Sequence, residues 1–125
     1  MATLLDTNVV LRYLLEDLQD QADAAADAIA SGAEVRPEII SECVYVLSGP
    51  YEVPRELIAE GLSLVLDEVA CPRRSVVLAA LGLYKTSKLD FPDCLLAAEH
   101  DVESIDVLTF DKGLNKLMHR MDGAR

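Results

Sequence analysis

The sequence predicts an α/β sandwich, a mostly parallel sheet covered by helices, and three observations carry that reading. Short apolar runs, clearest at residues 3–5 and 104–109, alternate with longer stretches whose apolar residues recur at helical spacing. Strands separated by helices pair in parallel, and a parallel sheet needs helices over both faces. The chain has 125 residues and is 51% hydrophobic, enough to fill the core of one domain spanning 1–125 and too apolar for intrinsic disorder. No apolar run approaches the roughly 20 residues that cross a bilayer, so no membrane association is expected. The opening MATLLDTNVV lacks the cationic region and cleavage site of a secretory signal. Cys43, Cys71 and Cys94 show no C-x-x-C spacing and read as free thiols of a reducing compartment, so a cytoplasmic location is expected.

The first element is a strand over residues 3–5 that stops at Asp6, and Val9, Val10, Tyr13 and Leu14 then recur at helical spacing. An alanine-rich helix over 19–30 ends at Ser31-Gly32, a C-cap signature, and the surrounding Glu16, Asp17, Asp20, Asp23 and Asp27 form a solvated face. Residues 34–36 are a second strand. Pro37 suits the first turn of the next helix, which carries Ile39, Ile40, Cys43, Val46 and Leu47 and ends at Gly49-Pro50. Pro54 opens a helix with Leu57, Ile58, Leu62, Val65 and Leu66 as its inner stripe. Residues 68–71 form a third strand before Pro72, residues 75–88 a helix, and another helix runs from Phe91 to about His100. Ile105, Val107 and Leu108 make 104–109 the clearest strand by composition. A last short helix covers 112–118, and residues 119–125 are expected to fray. Four strands are thus expected, with a fifth missing or very short.

Sites in open α/β sheets form outside the carboxyl ends of the strands. Asp6 directly follows the first strand, Asp111 lies two residues past the last, Glu42 sits in the first two turns after the second, and Asp93 is in the first turn of the helix opened by Phe91. Four acids from distant parts of the chain are therefore expected at one rim. Each has an ordinary structural reading beside this one. Asp6 and Asp111 suit N-caps, and Asp90 with Asp93 has capping-box spacing. Glu42 lies among Ile39, Ile40, Cys43 and Val46, where an unpaired carboxylate is costly to desolvate. Clustered carboxylates cannot all stay ionised without a counterion, and an all-oxygen set selects Mg²⁺ or Mn²⁺ over zinc. His100, His119 and the cysteines show no zinc spacing, and both histidines suit capping or solvent-facing roles near helix C-termini. Hard cations on acidic side chains activate water and stabilise the leaving oxygen in phosphodiester hydrolysis.

Charge argues the other way. With 22 acidic against 11 basic residues the net charge is −11, which repels phosphate backbones. Only a local stripe drawn from Arg12, Arg73, Arg74, Lys85, Lys88, Lys112 and Lys116 would offset it, and solvated surface is the plain reading of each.

Three segments together resemble the PIN-domain nucleases, particularly the small VapC-type toxins of toxin–antitoxin pairs. They are LLDTNVVLRYLL, SECVYVL, and LDFPDCLLAA followed by LTFDKGLNKL, and the likeness covers residues 3–117. The resemblance implies a three-layer α/β/α sandwich with a central sheet of four or five short strands. It implies a metal-dependent endoribonuclease using one or two Mg²⁺ or Mn²⁺ ions. Asp6, Glu42, Asp93 and Asp111 match the family's acidic quartet, Asp90 matches an additional acid, and Asn8 and Thr109 match polar positions that hold the site or its water. Arg12, Lys112 and Lys116 become candidates for RNA contact, Lys112 foremost because it adjoins Asp111. The implied partners are an RNA substrate, a second copy in a homodimer, and a small antitoxin, with the helices at 19–30 and 54–66 as candidate surfaces. A receiver domain would need paired acids after the first strand and an acceptor aspartate after the third. Here Thr7 and Asn8 follow Asp6, and Pro72-Arg73 follow Cys71. A haloacid-dehalogenase-like phosphatase would need D-x-D where this chain has D-x-N. A catalytically silent PIN fold that only binds remains as an alternative, against which the intact quartet argues.

Overall fold

Extended backbone is scarce and concentrated near the N-terminus. In the computed structural model, which describes residues 2–124, β1 (Thr3–Leu4) lies parallel to β2 (Ala33–Glu34), with Thr3 opposite Ala33 and Leu4 opposite Glu34. The Leu5 N–H continues the ladder to the Glu34 carbonyl at 2.9 Å. On the far side of β2, Ala70 forms a parallel bridge to Glu34. Its N–H reaches the Ala33 carbonyl and its own carbonyl accepts from Val35, both at 2.9 Å. The first three expected strands therefore lie side by side, each only a few residues long. Leu5, Ala33, Val35 and Val69 bury the apolar side chains of this strip.

Helices make up the rest: α1 (Thr7–Leu15), α2 (Gln19–Ala30), α3 (Pro37–Ser48), α4 (Arg55–Glu68), α5 (Arg74–Thr86), α6 (Phe91–Glu103) and α7 (Lys112–Gly123). Proline opens α3, where its missing N–H costs nothing. α2 ends as its sequence predicts. Ser31 bonds back to Asp27, and Gly32 comes next at φ 104° while its N–H reaches the Ile29 carbonyl at 3.2 Å. That positive φ is strained for any residue with a Cβ. Gly32→Ala is expected to lower stability by about 1–2 kcal/mol, measured as a shifted urea midpoint at unchanged slope.

Among the described residues the predicted sheet of four or five strands reduces to β1, β2 and the bridge at Ala70. Residues 104–110 make no strand, and Leu108 and Phe110 stand 87% and 92% exposed. Local side chains have taken the carbonyls that a ladder needs. Ser104 closes α6 in the left-handed region, His100 Nδ1 donates to the Ile105 carbonyl at 2.9 Å, and Asn115 Nδ2 donates to the Thr109 carbonyl at 2.9 Å. The last helix also runs on to Gly123, through residues expected to fray, and His100 Nε2 meets Asp122 at 2.8 Å to tie α6 to α7.

The core is mainly helical. Ile40, Cys43, Val44 and Leu47 of α3 pack with Ile58, Leu62, Val65 and Leu66 of α4 and the inner faces of α5 and α6. Leu114, Leu117 and Met118 of α7 form a smaller cluster with Ala97. All three cysteines are free thiols, and burial, reinforced by Glu42 and Asp6, pushes Cys43 up to about 12. Among the described residues no helix is long and apolar enough to cross a membrane.

Candidate active site

Asp6 and Asp111 do what isolated helix-preceding aspartates do. Asp6 caps α1, its Oδ1 accepting from the Val9 N–H at 3.0 Å. Asp111 caps α7, its Oδ2 accepting from Leu114 at 2.7 Å. Thr109 Oγ1 accepts from the Asp111 N–H at 3.1 Å, so Thr109 holds the backbone that presents this carboxylate. Gly113 leaves room for it, since a Cβ there would lie 3.3 Å from Asp111 Oδ2 and 3.1 Å from Leu89 Cδ2. Each cap occupies one carboxylate oxygen. The helix dipole adds to the preference for negative charge at both ends.

The Asp90–Asp93 capping box does not form, because the Asp90 side chain makes no cap bond although it stands at the N-cap of α6. Asp93, half-buried in the first turn, is held above the usual carboxylate range by burial, then by Asp111 and Asp90. Three acids from the ends of two helices therefore share one electrostatic environment. Glu42 is exposed, contrary to the desolvated setting its apolar neighbours suggested. Glu42 and Asp6 both act on the Cys43 thiol, whose Sγ approaches the Thr7 carbonyl at 4.0 Å, so the start of α1 meets α3 here. Glu42 and Asp90 line one cleft of about 600 Å³ where α3 faces the start of α6. Asp6 and Asn8 together line a separate groove between α1 and α2, which Arg12 also borders.

Among the described residues none of these five carboxylates is in an ion pair. That is unneutralised charge of the kind a hard cation relieves, and the all-oxygen donors suit Mg²⁺ or Mn²⁺. The spacing is looser than a coordination shell, since among the described residues no three Asp, Glu, His or Cys side chains converge enough to hold one ion.

Most candidate cations are already engaged. Arg12 donates to Asp17 and to the Tyr51 hydroxyl, both at 2.9 Å, and its side chain is only 15% exposed. Arg73 pairs with Glu99 and Glu103, Arg74 with Asp67, and Lys85 with Glu60. Lys112 and Lys116 are exposed and make no ion pair among the described residues.

One positioning residue is not evident from the sequence. Arg55 of α4 donates to the Tyr84 carbonyl at 2.8 Å and to the Leu89 carbonyl, with its guanidinium 3.7 Å from the Tyr84 ring centroid. It thereby fixes the loop that delivers Asp90 and Asp93. Its signal was an arginine at a helix N-terminus, where the dipole disfavours a cation and a specific partner is needed.

Asp6 has separable roles as cap and as site carboxylate. Asparagine caps as well as aspartate, so Asp6→Asn is expected to keep stability, whereas Asp6→Ala is expected to lose about 1 kcal/mol. Paired urea titrations check this, and equal losses in both would show that the charge itself stabilises the fold.

The PIN domain family model matches residues 3–119. No curated protein and no solved structure matches the chain. PIN domains are an α/β fold, generally comprise nucleases, act on RNA and typically bind a divalent metal. With a match over nearly its whole length, the chain belongs to the PIN domain family.

Proposed function

We propose that the chain is a metal-dependent endoribonuclease folded as one domain, acting in the cytoplasm as the toxin of a toxin–antitoxin pair. The observation that carries this reading is that Asp93 feels the charges of Asp111 and Asp90, none of the three being in an ion pair among the described residues, in a chain of a nuclease family. Asp6, Glu42, Asp93 and Asp111 are the residues that would hold one or two Mg²⁺ or Mn²⁺ ions, with Asp90 as an auxiliary ligand, if they draw closer than the spacing seen among the described residues. Such an ion would supply Lewis-acid polarisation of the phosphodiester and activation of the attacking water. The chain's own part is placement. Asp6 and Asp111 each keep one oxygen on a helix N-terminus and leave the other for a ligand, while Thr109 holds the Asp111 N–H and Asn115 in turn holds the Thr109 carbonyl. Lys112 and Lys116 meet the RNA phosphates, which the overall acidic charge otherwise repels. Exposed Leu108 and Phe110, and Leu57 and Leu64 on α4, offer apolar surface for a second copy or a small antitoxin.

A silent binding module is the second reading. It is favoured by the looseness of the acidic group, of which no three members converge among the described residues. Calorimetric titration with Mg²⁺ and Mn²⁺ beside an Asp6→Asn/Asp93→Asn double variant, followed by an RNA cleavage assay, separates the two. Heat and cleavage in the parent alone are expected. Equal binding in both proteins would move the metal elsewhere and sink the assignment. Binding without cleavage would favour the silent module.

A further inference from the structure

α3 buries Ile40, Cys43, Val44 and Leu47 and turns a different face to the cleft beside Asp90. Glu38, Ser41, Glu42 and Tyr45 fall at i, i+3, i+4 and i+7 and so share that face. Tyr45 is 76% exposed, and its hydroxyl makes no hydrogen bond among the described residues. A lone exposed aromatic is unremarkable on a convex surface. This one borders a concave cleft of about 600 Å³ that also holds two of the site's acids.

The lining decides what enters. It contains Glu38, Glu42 and Asp90, three carboxylates, and no lysine or arginine. A phosphate is repelled by such a wall. The portion of a nucleic acid that fits is neutral and flat and carries N–H donors along its edge, which describes a nucleobase. Base–aromatic stacking needs no positive charge, so it provides a hold on RNA at a rim where electrostatics cannot.

Building on the ribonuclease reading, we propose that Tyr45 is a stacking platform for one unpaired base of single-stranded RNA beside the scissile site. Glu38 and the Ser41 hydroxyl then face the edge of the stacked base. A carboxylate accepts from an exocyclic amino group, so adenine, cytosine or guanine is preferred to uracil, whose edge places carbonyl oxygens against it.

The protein contains no tryptophan, so Tyr45→Trp introduces a sole indole reporter on a largely exposed position. The variant, in EDTA to prevent cleavage, is titrated with single-stranded oligonucleotides of adenosine, cytidine or uridine, with a duplex, and with an abasic strand. Saturable quenching by oligoadenosine and oligocytidine, weaker quenching by oligouridine and none by duplex or abasic strand is expected. Absent quenching, or equal quenching by duplex, overturns the proposal. In parallel, Tyr45→Ala is expected to raise KM for RNA on the order of tenfold with kcat little changed, and Tyr45→Phe to restore it. An unchanged KM in Tyr45→Ala, with melting temperature preserved, also overturns it. If the parent cleaves no RNA, the ribonuclease reading fails by itself, and the quenching titration alone decides whether a base is bound.

Discussion

Asp93→Asn is expected to reduce RNA cleavage by roughly 10²–10³-fold while leaving the fold at least as stable as the parent. The two halves of this result have one cause. Burial, Asp111 and Asp90 hold the Asp93 carboxyl above its ordinary range, so the folded chain grips this proton more tightly than the unfolded chain does. Its contribution to stability is therefore full below the unfolded value and is lost as pH rises through the raised folded value. At neutral pH the parent carries that loss and the asparagine variant does not. Melting curves from acid to neutral pH should show the parent falling relative to Asp93→Asn through the carboxylate range and staying lower above it. A fluorogenic RNA assay with Mn²⁺ supplies the activity half. Cleavage at the parent rate would remove Asp93 from the chemistry. A variant that melts well below the parent at neutral pH would mean that the charge was compensated by something other than a metal.

The helices were largely legible because their signals are local. Pro37 and the Ser31-Gly32 pair mark the start of α3 and the end of α2 within the segments themselves. Strands depend on a partner, and at residues 104–109 strong β-propensity gave way to side-chain bonds from His100 and Asn115, which lie 5 and 6 residues from the carbonyls they engage. The candidate acids were legible as positions and less so as environments. Asp6 and Asp111 cap as their places before helices suggest. Glu42 is flanked in sequence by the apolar Ile39, Cys43 and Val46, yet these neighbours do not surround it in the fold. On the helix its face is shared with Glu38 and Tyr45, which are exposed as it is. Arg12 is open to an RNA role in the sequence, but Tyr51, 39 residues away, accepts from it in the fold. No local pattern encodes a contact of that range.

Arg55→Ala is expected to be strongly destabilising for the loss of a polar side chain, at about 2–4 kcal/mol. The guanidinium donates to the Tyr84 carbonyl in the last turn of α5 and to the Leu89 carbonyl one residue before Asp90, and it lies over the Tyr84 ring. Removing it strips both carbonyls of this donor and exposes the ring that meets Phe91 edge-on at 6.0 Å. Lysine offers one point charge where a planar fork bridges two acceptors, so Arg55→Lys should recover only part of the loss. The loop held by Arg55 leads directly into the helix turn bearing Asp90 and Asp93. Arg55→Lys should therefore also lower kcat for RNA cleavage at temperatures where the variant is fully folded, because the carboxylates lose their fixed placement. Urea unfolding and cleavage rates measured on the same preparations test both parts. Parent-like stability in Arg55→Ala would show that α5 and the adjoining loop hold their geometry without the clamp. Lowered stability with an unchanged kcat would show that the clamp serves the fold and leaves the acids in place.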